Sequence, residues 1–129
     1  ERIGSLWGFK QFIENRAIDV AQPDLGVVGG ITEMKKVCDY AHAYDVGIQM
    51  HCMAGPIACA ATVQVEAAIS NFVYHECLQW NTLPVFTTIG KHDDMLIPVN
   101  GSYNIPDRPG IGQELSEEAI AGAEHILVK

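Results

Sequence analysis

Val46-Gly47-Ile48-Gln49-Met50-His51-Cys52-Met53-Ala54-Gly55-Pro56 is a mostly apolar run that ends on an imidazole and passes through a small-residue loop to a proline. Its first part, 46–50, predicts a strand that delivers His51 and Cys52 at its end. Pro56 suits the first position of a helix, where the N–H it lacks would have no partner anyway. The helix runs on to 69 through alanine-rich sequence, and small side chains suit tight packing against a sheet. The same order recurs on either side. Upstream, 18–21 is a short apolar strand stopped by Gln22-Pro23-Asp24, since proline cannot donate to a ladder. Gly29-Gly30 then opens a helix in which Ile31, Met34, Val37, Cys38 and Ala41 recur at three and four residues until 45. Downstream, 71–75 predicts a third strand leading to Glu76. Glu1, Asp24, His51 and Glu76 thus follow one another at 23, 27 and 25 residues, the length of one strand, loop and helix in a barrel of parallel strands. In such barrels the carboxyl ends of neighbouring strands share one mouth, so these four side chains are expected to gather around a ligand.

Outside this frame, Leu6, Phe9, Phe12 and Ile13 lie at helical spacing over 6–16, with Ser5 as a fair cap. Beyond Cys77 the character changes. Residues 78–94 are irregular, 95–99 read as a strand, and Asn100-Gly101 is a turn signal. Pro106, Pro109, Gly110 and Gly112 mark an extended crossing segment. Ser116 opens a last helix to about 127, with Glu117 and Glu118 in a first turn that favours negative charge. The chain is expected to form one α/β domain over 1–129, with three βα units in 1–77 and a closing segment in 78–129. A complete eight-unit barrel needs roughly 250 residues. The expectation is therefore part of a barrel with open edges, its amino-terminal half missing or supplied by a companion chain, and prone to oligomerise.

The net charge of −8, from 8 basic and 16 acidic residues, comes with no Lys/Arg stripe, which argues against nucleic acid as a partner. The longest apolar stretch, 56–68, is broken by Thr62, Gln64 and Glu66 and is shorter than the roughly 20 residues a bilayer requires, so no membrane span is expected. Cys38, Cys52, Cys59 and Cys77 show no close C-x-x-C pairing and read as free thiols of a reducing cytoplasm.

Asp24 and His51 occupy equivalent ends of consecutive strands, so a carboxylate–imidazole hydrogen bond is geometrically reasonable. Such a pair fixes the tautomer and stabilises the protonated ring, which makes a general base near neutral pH. A buried histidine satisfied by one acid, or an aspartate that caps the next helix, fits the same spacing. Glu76 can hydrogen-bond a developing oxyanion if protonated, or stand solvated at a loop start. Glu1 can be one of several carboxylates around a divalent ion, because Mg²⁺ takes a few carboxylates and keeps waters or substrate oxygens elsewhere. His92-Asp93-Asp94 favours a plain polar loop, and His42 and His125 lie on helix faces as structural or surface residues. His75 falls on the opposite strand face from Glu76 if the strand is regular. Cys52 diverges from His51 for the same reason, which argues against a Cys/His nucleophile.

Taken together, Gln22-Pro23-Asp24-Leu25, Gly29-Gly30-Ile31-Thr32-Glu33, Ala43-Tyr44-Asp45-Val46, His51-Cys52, Gly55-Pro56-Ile57-Ala58, Glu76 and the tail Ile105-Pro106-Asp107-Arg108-Pro109-Gly110-Ile111-Gly112 resemble the mandelate racemase/muconate lactonizing branch of the enolase superfamily. The resemblance covers nearly the whole chain and is closest to galactonate dehydratase-like acid-sugar dehydratases. It implies the carboxyl-terminal part of a (β/α)8 barrel, strands 6 to 8 with flanking helices and a closing tail. It also implies roles: His51 as base, Asp24 as its partner, Glu76 as an aid to the enolate, and Glu1, followed by Arg2, as one Mg²⁺ ligand. The implied chemistry is Mg²⁺-dependent removal of the proton alpha to a carboxylate, then loss of a beta hydroxyl from a sugar acid. The sequence departs from the family pattern at Met50, where a proline is usual, at Met53-Ala54, at Val27-Val28, and at His75, where a glutamine is usual. The other two Mg²⁺ ligands, the residues of the second and third strands and the lidding domain lie outside the chain, so the 129 residues alone are expected to be inactive. A racemase or cycloisomerase on the same scaffold, or an inactive truncated structural chain, are the alternatives.

Overall fold

The computed structural model describes residues 1–78, 83–95 and 97–127. β1 (Val20–Ala21) and β2 (Gly47–Ile48) pair in parallel, Val20 opposite Gly47 and Ala21 opposite Ile48. The named strands are short, but the pairing continues past them. Gly47 N–H donates to Asp19 O, Gln49 N–H to Ala21 O and His51 N–H to Pro23 O, at 2.9, 3.1 and 3.0 Å. The last of these belongs to a parallel bridge in which Asp24 stands opposite His51.

The strand expected over 71–75 is reduced to one rung. Ile48 N–H donates to Asn71 O at 2.8 Å and Val73 N–H to Ile48 O at 2.9 Å, so Phe72 bridges Ile48, and past Val73 no ladder bond follows among the described residues. No described segment pairs with the outer edge of this run, and a strand with one neighbour and exposed Phe72, Val73 and Tyr74 has little to hold it extended. Asn71 supplies part of what the ladder lacks. Its side-chain N–H groups reach Cys38 O at 3.1 Å and Val46 O at 2.9 Å, joining the third run to a helix and to the start of β2.

The helices follow the apolar spacing. α1 (Leu6–Glu14) is capped by Ser5, whose hydroxyl accepts from Gly8 N–H, and it turns Phe9 and Ile13 inward. α2 (Leu25–Val28), a single turn absent from the sequence expectation, starts on Asp24 and ends at Gly29. Gly29 and Gly30 have φ of +112° and +91°, conformations that a Cβ penalises, and they let the chain leave α2 and start α3 (Ile31–His42) at once. α3 stops three residues short of the expected 45, at a turn that ends with Asp45 in the left-handed region, φ +60°. α4 (Pro56–Ala67) opens on its proline as expected and ends slightly before 69. α3 lies centrally, packing on α1, α2, α4 and β2. Met34, Val37, Cys38 and Ala41 of α3 close over Ala21, Ile48 and Met50 to make the core.

Past Cys77 the expectations hold less well. The segment 78–94 contains a helical turn, α5 (Pro84–Thr87). Instead of a strand over 95–99, Asp93–Met95 forms a 3₁₀ turn and Val99 pairs only with Ser102, while Leu96 lies outside the described residues. Asn100 and Gly101 do make the tight turn between them, both at positive φ. α6 (Glu117–Gly122) is capped by Ser116 as expected but ends well before 127. Ile126 and Leu127 are largely exposed, so no burial rewards a longer helix there. No described helix is long and apolar enough to cross a membrane.

Ile48 is fully buried between the paired backbones and α3. Ile48→Ala is expected to lower the unfolding free energy by about 2–5 kcal/mol in urea titration, whereas Val20→Ala, at a half-exposed site on the neighbouring strand, should cost well under half as much. Equal losses would mean that the helix-facing side of the strands is not the core.

Candidate active site at the carboxyl ends of the strands

Because Ala21 pairs with Ile48, the next residues outward on the opposite face are Gln22 with Gln49 and then Asp24 with His51. The side chains confirm the register. Gln22 Nε2–H donates to Gln49 Oε1 at 3.1 Å, and one step further out His51 Nδ1–H donates to Asp24 Oδ2 at 2.8 Å. The intervening residues, Pro23 and Met50, are fully buried on the helix side.

Asp24 is held twice. Its Oδ1 accepts from Val27 N–H at 2.9 Å as the cap of α2, while Oδ2 takes the histidine. The two readings that the sequence left open, helix cap and histidine partner, are both realised, one by each carboxylate oxygen. Burial would raise the Asp24 pKa. The hydrogen bond from His51 and the N–H groups of Val27 and Gly26 outweigh it, and the carboxyl is held below its ordinary value. An ionised carboxylate only accepts, so Nδ1 carries a proton and the neutral ring presents its lone pair at Nε2.

Nε2 faces Glu1, whose Oε2 lies 3.7 Å away. His51 and Asp24 are mostly buried, at 18% and 15% side-chain exposure, against 52% for Glu1, so the site opens on the Glu1 side. Glu76 reaches back from beyond the third run, its Oε2 accepting from the Cys52 N–H at 2.7 Å. All four expected residues therefore gather at one rim. Asp24 and Glu76 already accept hydrogen bonds from neighbouring groups, whereas Glu1 has the most accessible carboxylate of the group. It fits Mg²⁺ as one hard oxygen donor among the several that such an ion takes.

The remaining polar residues sort as expected or differ instructively. Asp94 makes a two-bond pair with Arg108 at 2.8 and 3.1 Å, which leaves His92-Asp93-Asp94 a polar loop. His42 meets Ser70, and His125 meets the Ile120 carbonyl. His75 does more than the sequence signalled: Nδ1–H donates to Glu66 Oε2 of α4 at 2.6 Å, both side chains buried, and Nε2 lies 3.7 Å from Cys59 Sγ. Glu66 looked only like an interruption of an apolar run. Its position four residues from Thr62 and three from Val63, both buried on α4, was the available signal that it faces inward.

A family model described as enolase C-terminal domain-like matches residues 1–119. A D-galactonate dehydratase from Cronobacter sakazakii is 36% identical over 123 residues, covering 93% of this chain and 32% of that protein. A solved member of the enolase superfamily from Salmonella Typhimurium is 46% identical with a TM-score of 0.94, over 100% of this chain and 32% of the other. The solved mandelate racemase/muconate lactonizing enzyme from Sulfitobacter sp is 31% identical with a TM-score of 0.83, over 92% of this chain and 28% of that one. The chain spans about a third of the length of the relatives it matches.

The lowered pKa of Asp24 means that its ionised form favours the fold. That stability is fully present above the unfolded carboxyl's pKa of about 4 and is lost as pH falls through the lower folded value. Asp24→Asn keeps a good helix cap and removes the charge. It should cost about 1–3 kcal/mol at pH 7, with the gap to the parent protein closing as the pH is taken down. Denaturation at a series of pH values checks this, and a gap that stays constant into acid would sever the carboxylate from the fold.

Proposed function

Because the chain belongs to the enolase C-terminal domain-like family, we propose that its rim abstracts the proton alpha to a carboxylate, in the dehydration of a sugar acid. The observation that carries this reading is the 2.8 Å bond from His51 Nδ1–H to Asp24, which leaves Nε2 as the basic nitrogen on the open side. Nε2 takes the alpha proton, and the Asp24 carboxylate stabilises the imidazolium that results. Glu76, anchored by the Cys52 N–H, brings a second acid–base group to the same mouth, where its protonated form can donate to the developing oxyanion. Glu1 would contribute one oxygen to a Mg²⁺ site, its other donors coming from outside these residues. Such an ion supplies positive charge beside an alpha proton that is otherwise very weakly acidic. An acid then protonates the departing beta hydroxyl.

Sugar-acid specificity is supported by the likeness to D-galactonate dehydratases from Cronobacter sakazakii and Variovorax paradoxus. The likeness to a mandelate racemase/muconate lactonizing enzyme favours, as a second reading, racemisation or cycloisomerisation with the same base. The exposed run Phe72, Val73 and Tyr74 supports a companion segment seated on the outer edge, and the free state of all four thiols supports a reducing, cytoplasmic setting.

In the full-length protein, His51→Asn should abolish exchange of the substrate alpha proton in deuterated water while leaving the fold intact. Asp24→Asn should lower kcat by about 10²–10⁴-fold. Retained exchange in the His51 variant would remove it as the base. A keto-deoxy acid as product marks dehydration, and an epimerised or lactonised acid would favour the second reading.

A further inference from the structure

Behind the rim, on the side of α4, lies a second group of reactive side chains. Cys52 follows His51 just past the end of β2, Cys59 sits in the first turn of α4, and His75 closes the third run. Their ligand atoms all lie within 4.8 Å of one another. We infer that Cys52, Cys59 and His75 form a binding site for a soft transition-metal ion of the zinc class, with Glu66 orienting the histidine.

Four observations carry this. The distances fit: a tetrahedral zinc with ordinary Zn–S and Zn–N bonds separates sulfur from nitrogen by about 3.6 Å, and Cys59 Sγ to His75 Nε2 is 3.7 Å. The histidine is oriented: Nδ1–H donates to Glu66 Oε2 at 2.6 Å, which turns Nε2 toward the sulfurs in the carboxylate–histidine–metal arrangement. The cluster is enclosed: Cys52 and Cys59 are 2% and 4% exposed, packed with Val63 and Tyr103. One polar atom is left over: Glu66 Oε1 is buried with no hydrogen-bond partner among the described residues, a buried acceptor beside the histidine that a further polar or cationic group would satisfy.

The cleft beside the cluster is lined in part by His75, Cys77 and Tyr103. Cys77 Sγ accepts there from the Tyr103 hydroxyl at 3.1 Å and is the nearest further thiol on that side. The donor set is sulfur and nitrogen, against the oxygen of Glu1 at the rim, so the two sites select different ions. Metal in this cluster would tie β2, α4 and the third run together from behind.

The test is a titration of the reduced, chelator-treated full-length protein with Co²⁺ alone. One equivalent should produce thiolate-to-cobalt charge-transfer absorption with the visible bands of tetrahedral cobalt, and Zn²⁺ should displace it. Cys52→Ser and Cys59→Ser should lose the charge-transfer band. Cys38→Ser, at a buried thiol of α3, should keep it. Glu66→Gln should weaken Co²⁺ binding by about 10–100-fold, and this near-isosteric variant decides the matter if the cysteine variants do not fold. Absence of the band in folded parent protein, or a band unchanged by Glu66→Gln and by either cysteine variant that folds, overturns the inference. The readout does not depend on turnover, so it fails or succeeds separately from the proposed reaction.

Discussion

The rung between Asp24 and His51 depends on the parallel register that sets Ala21 against Ile48. A slip of one residue in that pairing would send His51 to the helix layer and bring Met50 to the mouth, because successive side chains on a strand face opposite ways. The register is held by what is buried on the other side. Ala21, Pro23, Ile48 and Met50 are buried on the helix side, and Ile48 and Met50 would leave that layer with the same slip. The position of the His51 imidazole is thus fixed by the burial of Ile48 and Met50 before it more than by its own hydrogen bond. The cap of α2 adds a second restraint, since Asp24 cannot swing from His51 without releasing the first turn of a helix.

Much of this was legible in the sequence because it is periodic. The spacing of Glu1, Asp24, His51 and Glu76 counts whole strand–loop–helix units, and Ile31, Met34, Val37, Cys38 and Ala41 mark one helix face. Ser5, Pro56, Asn100-Gly101 and Ser116 mark ends and turns by local chemistry alone, and the fold uses each as expected. What failed were features that depend on neighbours. The run 71–75 has strand-like residues but only one strand beside it, and α6 has apolar residues beyond Gly122 with nothing to pack on. The Cys52, Cys59, Glu66 and His75 group escaped because three separate elements supply it at no regular spacing, although His75 does face away from Glu76 as expected.

His51 and Cys52 show how little chain is needed to separate two chemistries. Adjacent residues at the end of one strand face opposite layers, so the imidazole enters a mouth of carboxylates and the thiol enters a closed space beside another thiol and a histidine. Water reaches the first through the Glu1 side and is largely kept from the second, and the difference in solvation accounts for the different donor types that each tolerates.

The bond from the Cys52 N–H to Glu76 gives this arrangement a mechanical side. That amide belongs to the peptide that follows His51, so the carboxylate grips the backbone carrying the histidine and not its ring. Glu76 therefore acts as a guy rope on the tip of β2. Any displacement of the outer edge is transmitted through one short link to the height of the imidazole above the mouth. A segment that seats itself along Phe72 and Val73 would tune the reach of His51 without touching it.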